Sequence, residues 1–346
     1  MVENPRAARR RPSEIAAKRR SRFGMLAVAV VFVSLLSTGC ARMGIALMRS
    51  LGPGPMHGRA GTDITHDVVF SGSAEAPLLL DVYRPAGTPE KPRPVVLYAF
   101  GGGWLVGNRH QVAEFGFVRL VDRGYAIVAA DYRYSTTARF PAQIDDVRSA
   151  IRWIRANAEA YGFDPERVAI LGPSAGGHLA AFAGTSGDAA DANRGAGEVP
   201  SVRVQAVVDF FGPTDLSVYQ EQHRENGLGN TRQLDLFLVP FLGGPVAENA
   251  ERARLANPIT YVDGDDPPFL IIHGDADPIV PYQQSVMLRD ALTAAGVEVT
   301  FWRVEGGDHG QTPIFTSQEL LDDIATWLDG ALGVQSPWAE REASRP

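Results

Sequence analysis

The sequence predicts an α/β fold: a mostly parallel central sheet of about eight strands, with helices on both faces and a small insertion after the sixth strand. Three observations predict it. Apolar runs of strand length alternate with amphipathic stretches of helix length. The alternation persists along most of the chain, as crossover connections between parallel strands require. It breaks only between Thr214 and Asn257, where the apolar "LDLFLVPFLGG" has no neighbouring strand pattern.

The elements follow in order. "ITHDVVF" and "LLLDVYRP" read as strands around the turn-like "SGSAEAP", close enough to form an antiparallel hairpin at one edge. "PVVLYAF" and "YAIVAADY" are runs of the kind that form buried strands, with a helical stretch of roughly a dozen residues between them. "FPAQIDDVRSAIRWIRANAEAYG" is an amphipathic helix, because Ile144, Val147, Ile151 and Ile154 recur at three- and four-residue spacing. Pro141 suits its first turn and Gly162 its end. The strand "RVAILG", the helix "AGGHLAAFAG" and the strand "VRVQAVVDFFG" come next. After the insertion follow the strand "PPFLIIHG", the helix "YQQSVMLRDALTAAG", the strand "VEVTFWRV" and the helix "SQELLDDIATWLDGAL". Residues 187–200 read as a loop.

The 346 residues are 45% apolar and 21% charged, enough for a large core. Net charge is −7, unevenly spread: residues 1–24 carry +6, so the rest of the chain carries −13. An acidic body without a basic stripe argues against a nucleic-acid partner. The basic head precedes "GMLAVAVVFVSLLSTGC", and a positive head before a short apolar core has the form of an export signal. An uncleaved membrane anchor extended to Met48 is the competing reading. Cys40, the only cysteine, excludes an internal disulfide. The small residues before it resemble the acylated site of a bacterial lipoprotein, although Ser37 stands where leucine is more usual. Residues 1–40 are therefore expected to be a signal peptide or an N-terminal membrane or lipid anchor, and 41–61 a linker. Residues 62–332 are expected to be the catalytic domain, with 214–257 as a cap-like insertion and 333–346 as a disordered tail. The expected location is exported or membrane-associated.

"RVAILGPSAGGHLA" holds Gly172-Pro173-Ser174-Ala175-Gly176, a G-x-S-x-G pentapeptide between a strand and a helix. That context is what a nucleophile elbow needs: small neighbours permit the sharp turn, and the serine stands at a helix N-terminus. A serine hydroxyl needs a histidine to take its proton. Of seven histidines, His309 in "VEGGDHG" follows the last strand directly, at the sheet end where open α/β sheets place their sites. His178, one turn beyond Ser174 on the same helix, suits packing or hydrogen bonding better than a base. The acid that orients the histidine is expected in "HGDADPIVP", which offers Asp275 and Asp277; spacing does not separate them. Asp131-Tyr132-Arg133 reads as a structural hydrogen-bond cluster, and Asp308 as exposed. No metal-ligand spacing or phosphate-binding loop occurs, so no metal and no cofactor is expected.

From about residue 64 to 332 the chain resembles α/β-hydrolases of the esterase and lipase group, close to hormone-sensitive-lipase-like and feruloyl-esterase-like carboxylesterases. The stretches that carry the resemblance are "GGGW", "DYRYSTTARFPAQIDDVRSAIRWIRANAEAYGFDPERVAILGPSAGGHLA", "ANPITYV", "DDPPFLIIHGDADPIVP" and "GGDHG". The resemblance implies Asp277 as the acid and a structural role for His178. It implies an oxyanion hole from the N–H groups of Gly102, Gly103 and Ala175, and a small-molecule ester as substrate. Trp104, Phe237 and Phe241 are candidates for the substrate pocket. One departure is Phe100, where similar proteins usually carry histidine: packing could hold the glycine loop, leave it looser, or fail to support it. An amidase, an arylformamidase or a peptidase could use the same residues, and a non-catalytic binding module is the reading from another class.

Overall fold

In a computed structural model, residues 53–187, 200–228 and 231–334 are described. The N-terminal signal or anchor with Cys40, nearly all of the 187–200 loop and all but two residues of the 333–346 tail lie outside them.

Eight strands form one sheet in the order β1-β2-β4-β3-β5-β6-β7-β8. They are β1 (Thr62–Gly72), β2 (Pro77–Pro85), β3 (Arg93–Ala99), β4 (Ala126–Ala130), β5 (Phe163–Pro173), β6 (Ala206–Phe210), β7 (Phe269–Gly274) and β8 (Val299–Val304). β1 pairs antiparallel with β2, and β2 antiparallel with β4; all other pairings are parallel. The hairpin thus sits at one edge. β3, β4, β6 and β7 are buried at every position, as strands covered on both faces must be.

Among the described residues the helices are α1 (Gln111–Glu114), α2 (Ala142–Ala156), α3 (Ala158–Tyr161), α4 (Ala175–Ser186), α5 (Tyr219–Glu225), α6 (Asp235–Leu242), α7 (Ala250–Leu255), α8 (Gln283–Ala294) and α9 (Gln318–Ala331). The periodic isoleucines and Val147 of α2 are buried, and α2 packs on α4. α9 packs on a 3-10 helix at Phe117–Arg123. That 3-10 helix is one correction to the sequence reading. The dozen-residue helix expected between β3 and β4 is split, because Gly116 adopts φ 76° and ends the short α1. α5, α6 and α7 form the insertion between β6 and β7.

The topology decides what meets at the carboxyl end of the sheet. β3 and β5 are neighbours. The glycine loop after β3 therefore lies beside Ser174 after β5, while the loops after β7 and β8 bring Asp277 and His309 to the same end.

Candidate active site

Ser174 follows β5 and caps α4 with φ 55° and ψ −122°, a conformation that non-glycine residues rarely adopt. The sharp turn is enforced from behind. A Cβ at Gly176 would overlap the carbonyls of Ala99 and Phe100, so only glycine lets α4 approach the end of β3. Ser174 N donates to Phe210 O at 2.8 Å, which ties the turn to β6.

His309 stands between Ser174 and Asp277. Its Nε2 lies 2.9 Å from Ser174 Oγ, and its Nδ1 2.7 Å from Asp277 Oδ2. A carboxylate can only accept, so Nδ1 carries a proton, and in the neutral ring Nε2 is left to accept from the serine hydroxyl. Phe211, at the end of β6, packs its ring 4.6 Å from that of His309 and edge-on to Phe315.

Asp277 is almost fully buried. Its Oδ1 accepts from Ile279 N at 2.8 Å and Val280 N at 2.9 Å. His273 Nε2 lies 3.2 Å from its Oδ2. Burial pushes this carboxyl up, but His309 and the hydrogen bonds from His273 and His309 outweigh it and hold it below the usual carboxylate range. Asp275 faces the other way, paired with Arg303 through contacts of 2.5 and 2.7 Å. Geometry thus separates the two aspartates that spacing could not. The insertion helps fix this loop: Tyr219 OH of α5 donates to Ile279 O at 2.8 Å.

The glycine loop faces Ser174. Gly102 and Gly103 have φ 123° and 59°, and Gly102 O accepts from Leu105 N and Val106 N, both at 3.1 Å. Among the described residues, nothing accepts from the N–H groups of Gly102, Gly103 or Ala175. They are three unengaged backbone donors at one end of the sheet.

Of the three aromatic residues expected in the substrate pocket, only Phe237 is partly exposed. Trp104 and Phe241 are buried and stack face to face, centroids 4.1 Å apart. That departs from the sequence reading: these two belong to a buried aromatic layer, with Phe140 and His178 against Phe241. His178 Nε2 donates to Ala256 O at 2.8 Å, and burial pushes its imidazole down to about 4, so it stays neutral. Asp308 is another departure: partly buried, its Oδ1 accepts from Gln311 N and Thr312 N at 2.8 and 2.7 Å and shapes the turn after His309.

Asp131-Tyr132-Arg133 is the structural hydrogen-bond cluster expected, with Asp131 accepting from Arg109 at 2.6 Å and Arg133 donating to Asp146 at 2.7 Å. What sequence reasoning missed is how this segment and Phe211 support the site. Tyr132 OH donates to Phe100 O at 2.9 Å, Tyr134 OH to Gly107 O at 2.6 Å, and Phe211 backs His309. His66 and His110 lie apart from the site, at 3.0 and 3.3 Å from the buried carboxyl of Asp81. Among the described residues no cluster of histidine, cysteine and carboxylate side chains could hold a metal, and no helix is long and apolar enough to cross a membrane.

Comparison with known proteins adds independent weight. Esterase LipC of Mycobacterium tuberculosis is 33% identical over 67% of this chain, and Esterase LipQ of the same organism 34% identical over 70%. The chain spans 56% of the length of each of these relatives. A solved structure described as a truncated form of a carbohydrate esterase from gut microbiota superposes with TM-score 0.70 at 30% identity, covering 81% of this chain and all of that one. The BD-FAE family model matches residues 80–292. With that match, and a mostly parallel eight-stranded sheet carrying a strand–serine–helix elbow, the chain belongs to the BD-FAE family and has the α/β-hydrolase fold.

Proposed function

We propose that this protein is a serine hydrolase of carboxylic esters. The chain of contacts from Ser174 through His309 to Asp277 carries the reading. His309 Nε2 takes the proton as Ser174 Oγ attacks the ester carbonyl. The developing oxyanion accepts from the N–H groups of Gly102, Gly103 and Ala175, and losing one such donor typically costs about 2.7–4 kcal/mol of transition-state stabilisation. Asp277 holds the tautomer and balances the imidazolium. His309 then protonates the leaving alcohol, and water repeats the cycle on the acyl-enzyme.

The names of the relatives support an ester over an amide as the scissile bond. The carbohydrate esterase among the similar structures makes esterified carbohydrates the first class to try. Phe237, partly exposed and packed against Gly103, is the aromatic candidate best placed to meet substrate. The basic, apolar N-terminal segment supports export with attachment through Cys40, which mass spectrometry of the mature N-terminus tests.

The functional test is hydrolysis of p-nitrophenyl acetate by the wild type and by Ser174→Ala. We expect kcat to fall about 10⁴-fold or more. Equal rates from the two proteins would overturn the reading.

A further inference from the structure

The glycine loop in this chain follows a phenylalanine, and the structure shows how the loop is held. Phe100 is fully buried, its ring stacked on Tyr132 with centroids 4.0 Å apart and planes 10° from parallel. A side chain that offers no hydrogen bond can support a backbone only by shape. The polar support comes instead from the segment that follows β4. Tyr132 OH donates to Phe100 O at 2.9 Å, at the start of the loop. Ser135 N donates to Trp104 O at 2.8 Å, in its middle. Tyr134 OH donates to Gly107 O at 2.6 Å, at its end. A Cβ on Gly176 would come within 2.8 Å of the same Phe100 carbonyl and closer still to that of Ala99, so the start of the loop lies against the serine elbow.

We propose that Tyr132 and Tyr134 are the positioning residues of the oxyanion loop, each gripping one end of it through a phenol-to-carbonyl hydrogen bond. Tyr132 fixes the peptide plane between Phe100 and Gly101, one residue before the first oxyanion donor. Its ring also seats Phe100, so the loop keeps its place without a histidine at position 100. A phenol suits this role because it is rigid and reaches across packed apolar ground, and a buried hydroxyl needs an acceptor in any case. The inference rests on the proposed role of Gly102, Gly103 and Ala175 as donors to the oxyanion. Neither tyrosine touches the substrate; both act through the backbone.

Tyr132→Phe and Tyr134→Phe keep the rings and remove only the hydroxyls. The amount of competent enzyme is counted by titrating Ser174 with a fluorophosphonate, so that loss of folded protein is not read as loss of rate. We expect kcat for p-nitrophenyl acetate to fall roughly 5- to 20-fold in each variant, with KM within about twofold of wild type. A trifluoromethyl ketone, which forms a tetrahedral oxyanion adduct on the serine, should bind more weakly by a similar factor. A merely structural role would lower the titrated fraction and leave both numbers alone. Should Tyr132→Phe not fold, Tyr134→Phe carries the test at the other end of the loop. If Ser174→Ala is inactive while the folded tyrosine variants match wild type in kcat and inhibitor affinity, the positioning role is overturned and the functional reading stands. If Ser174→Ala is fully active, both are overturned.

Discussion

Phe237 of the insertion lies directly on Gly103 of the glycine loop. A single methyl group at position 103 would occupy the space of the phenylalanine ring. The insertion and the proposed oxyanion donors are therefore one packed unit, and a change in either is felt by the other. Gly103→Ala should lower kcat/KM about 100-fold or more, because a displacement of an ångström at a reacting centre costs that much. Adding Phe237→Ala removes the clash and should recover about tenfold. Recovery stays partial because alanine at φ 59° still carries about 1–2 kcal/mol of strain. Steady-state kinetics of the two single variants and the double variant form the cycle that measures this coupling. A double variant as impaired as Gly103→Ala alone means that the contact is not the cause.

The stack of Phe100 on Tyr132 predicts the outcome of restoring a histidine. The slot at position 100 is fully buried and flat against a phenol ring. An imidazole placed there loses packing against Tyr132 and buries two ring nitrogens. Phe100→His should destabilise the protein by about 1–3 kcal/mol in urea unfolding, with kcat unchanged within about twofold. Phe100→Ala, which leaves a cavity beneath the loop, should cost about 3–5 kcal/mol and lower kcat as well. A several-fold gain in kcat for Phe100→His would mean that phenylalanine holds the loop poorly.

Asp277 and Asp275 are two residues apart and predict opposite outcomes. Asp277→Asn can still accept from Ile279 N and Val280 N with its amide oxygen. Its NH₂ group then faces His309 Nδ1, which favours the tautomer with its proton on Nε2, where Ser174 needs an acceptor. We expect kcat to drop about 10⁴-fold with KM little changed. Asp275→Asn keeps an oxygen for Gly306 N and weakens only the pair with the exposed Arg303, and pairs with an exposed partner contribute about 0–1 kcal/mol, so its kcat should match wild type. Equal losses from the two substitutions would contradict the orientation role of Asp277.

Much of this architecture is legible in the sequence, for identifiable reasons. Strands buried on both faces read as continuous apolar runs, and α2 announces itself through the spacing of Ile144, Val147, Ile151 and Ile154. Ser174 and His309 are readable because strong local constraints surround them, a strand-to-helix turn in one case and a glycine-rich loop in the other. The choice between Asp275 and Asp277 is not readable from spacing, since both lie in one turn and only its geometry aims a carboxylate at His309. The grip of Tyr132 on Phe100 and of Tyr219 on Ile279 is not readable either. These contacts span 32 and 60 residues of chain and depend on tertiary placement, with no periodic signal to betray them. The split between α1 and the 3-10 helix turns on the conformation of one residue, Gly116, inside a stretch whose apolar pattern suits a helix.

Asp209 gives the last prediction, a dependence of stability on pH. It lies on β6 with no exposed surface. Its Oδ1 accepts from Gly212 N at 2.9 Å, while Oδ2 has no partner among the described residues. Burial pushes this carboxyl up to about 7, against the opposing pull of the Gly212 N–H. The sign follows from proton counting. Between the ordinary aspartate value near 4 and about 7, the folded chain holds a proton that the unfolded chain has released. Stability therefore falls as pH rises through that window and levels off above it, where the charge is buried in full. Asp209→Asn removes the titration and keeps an oxygen for Gly212 N. Relative to wild type, the variant should gain about 1–3 kcal/mol between pH 5 and pH 8, read from urea unfolding at both values. Parallel behaviour of the two proteins across that range would show that Asp209 is ionised in the fold throughout, and that a compensating donor reaches its second oxygen.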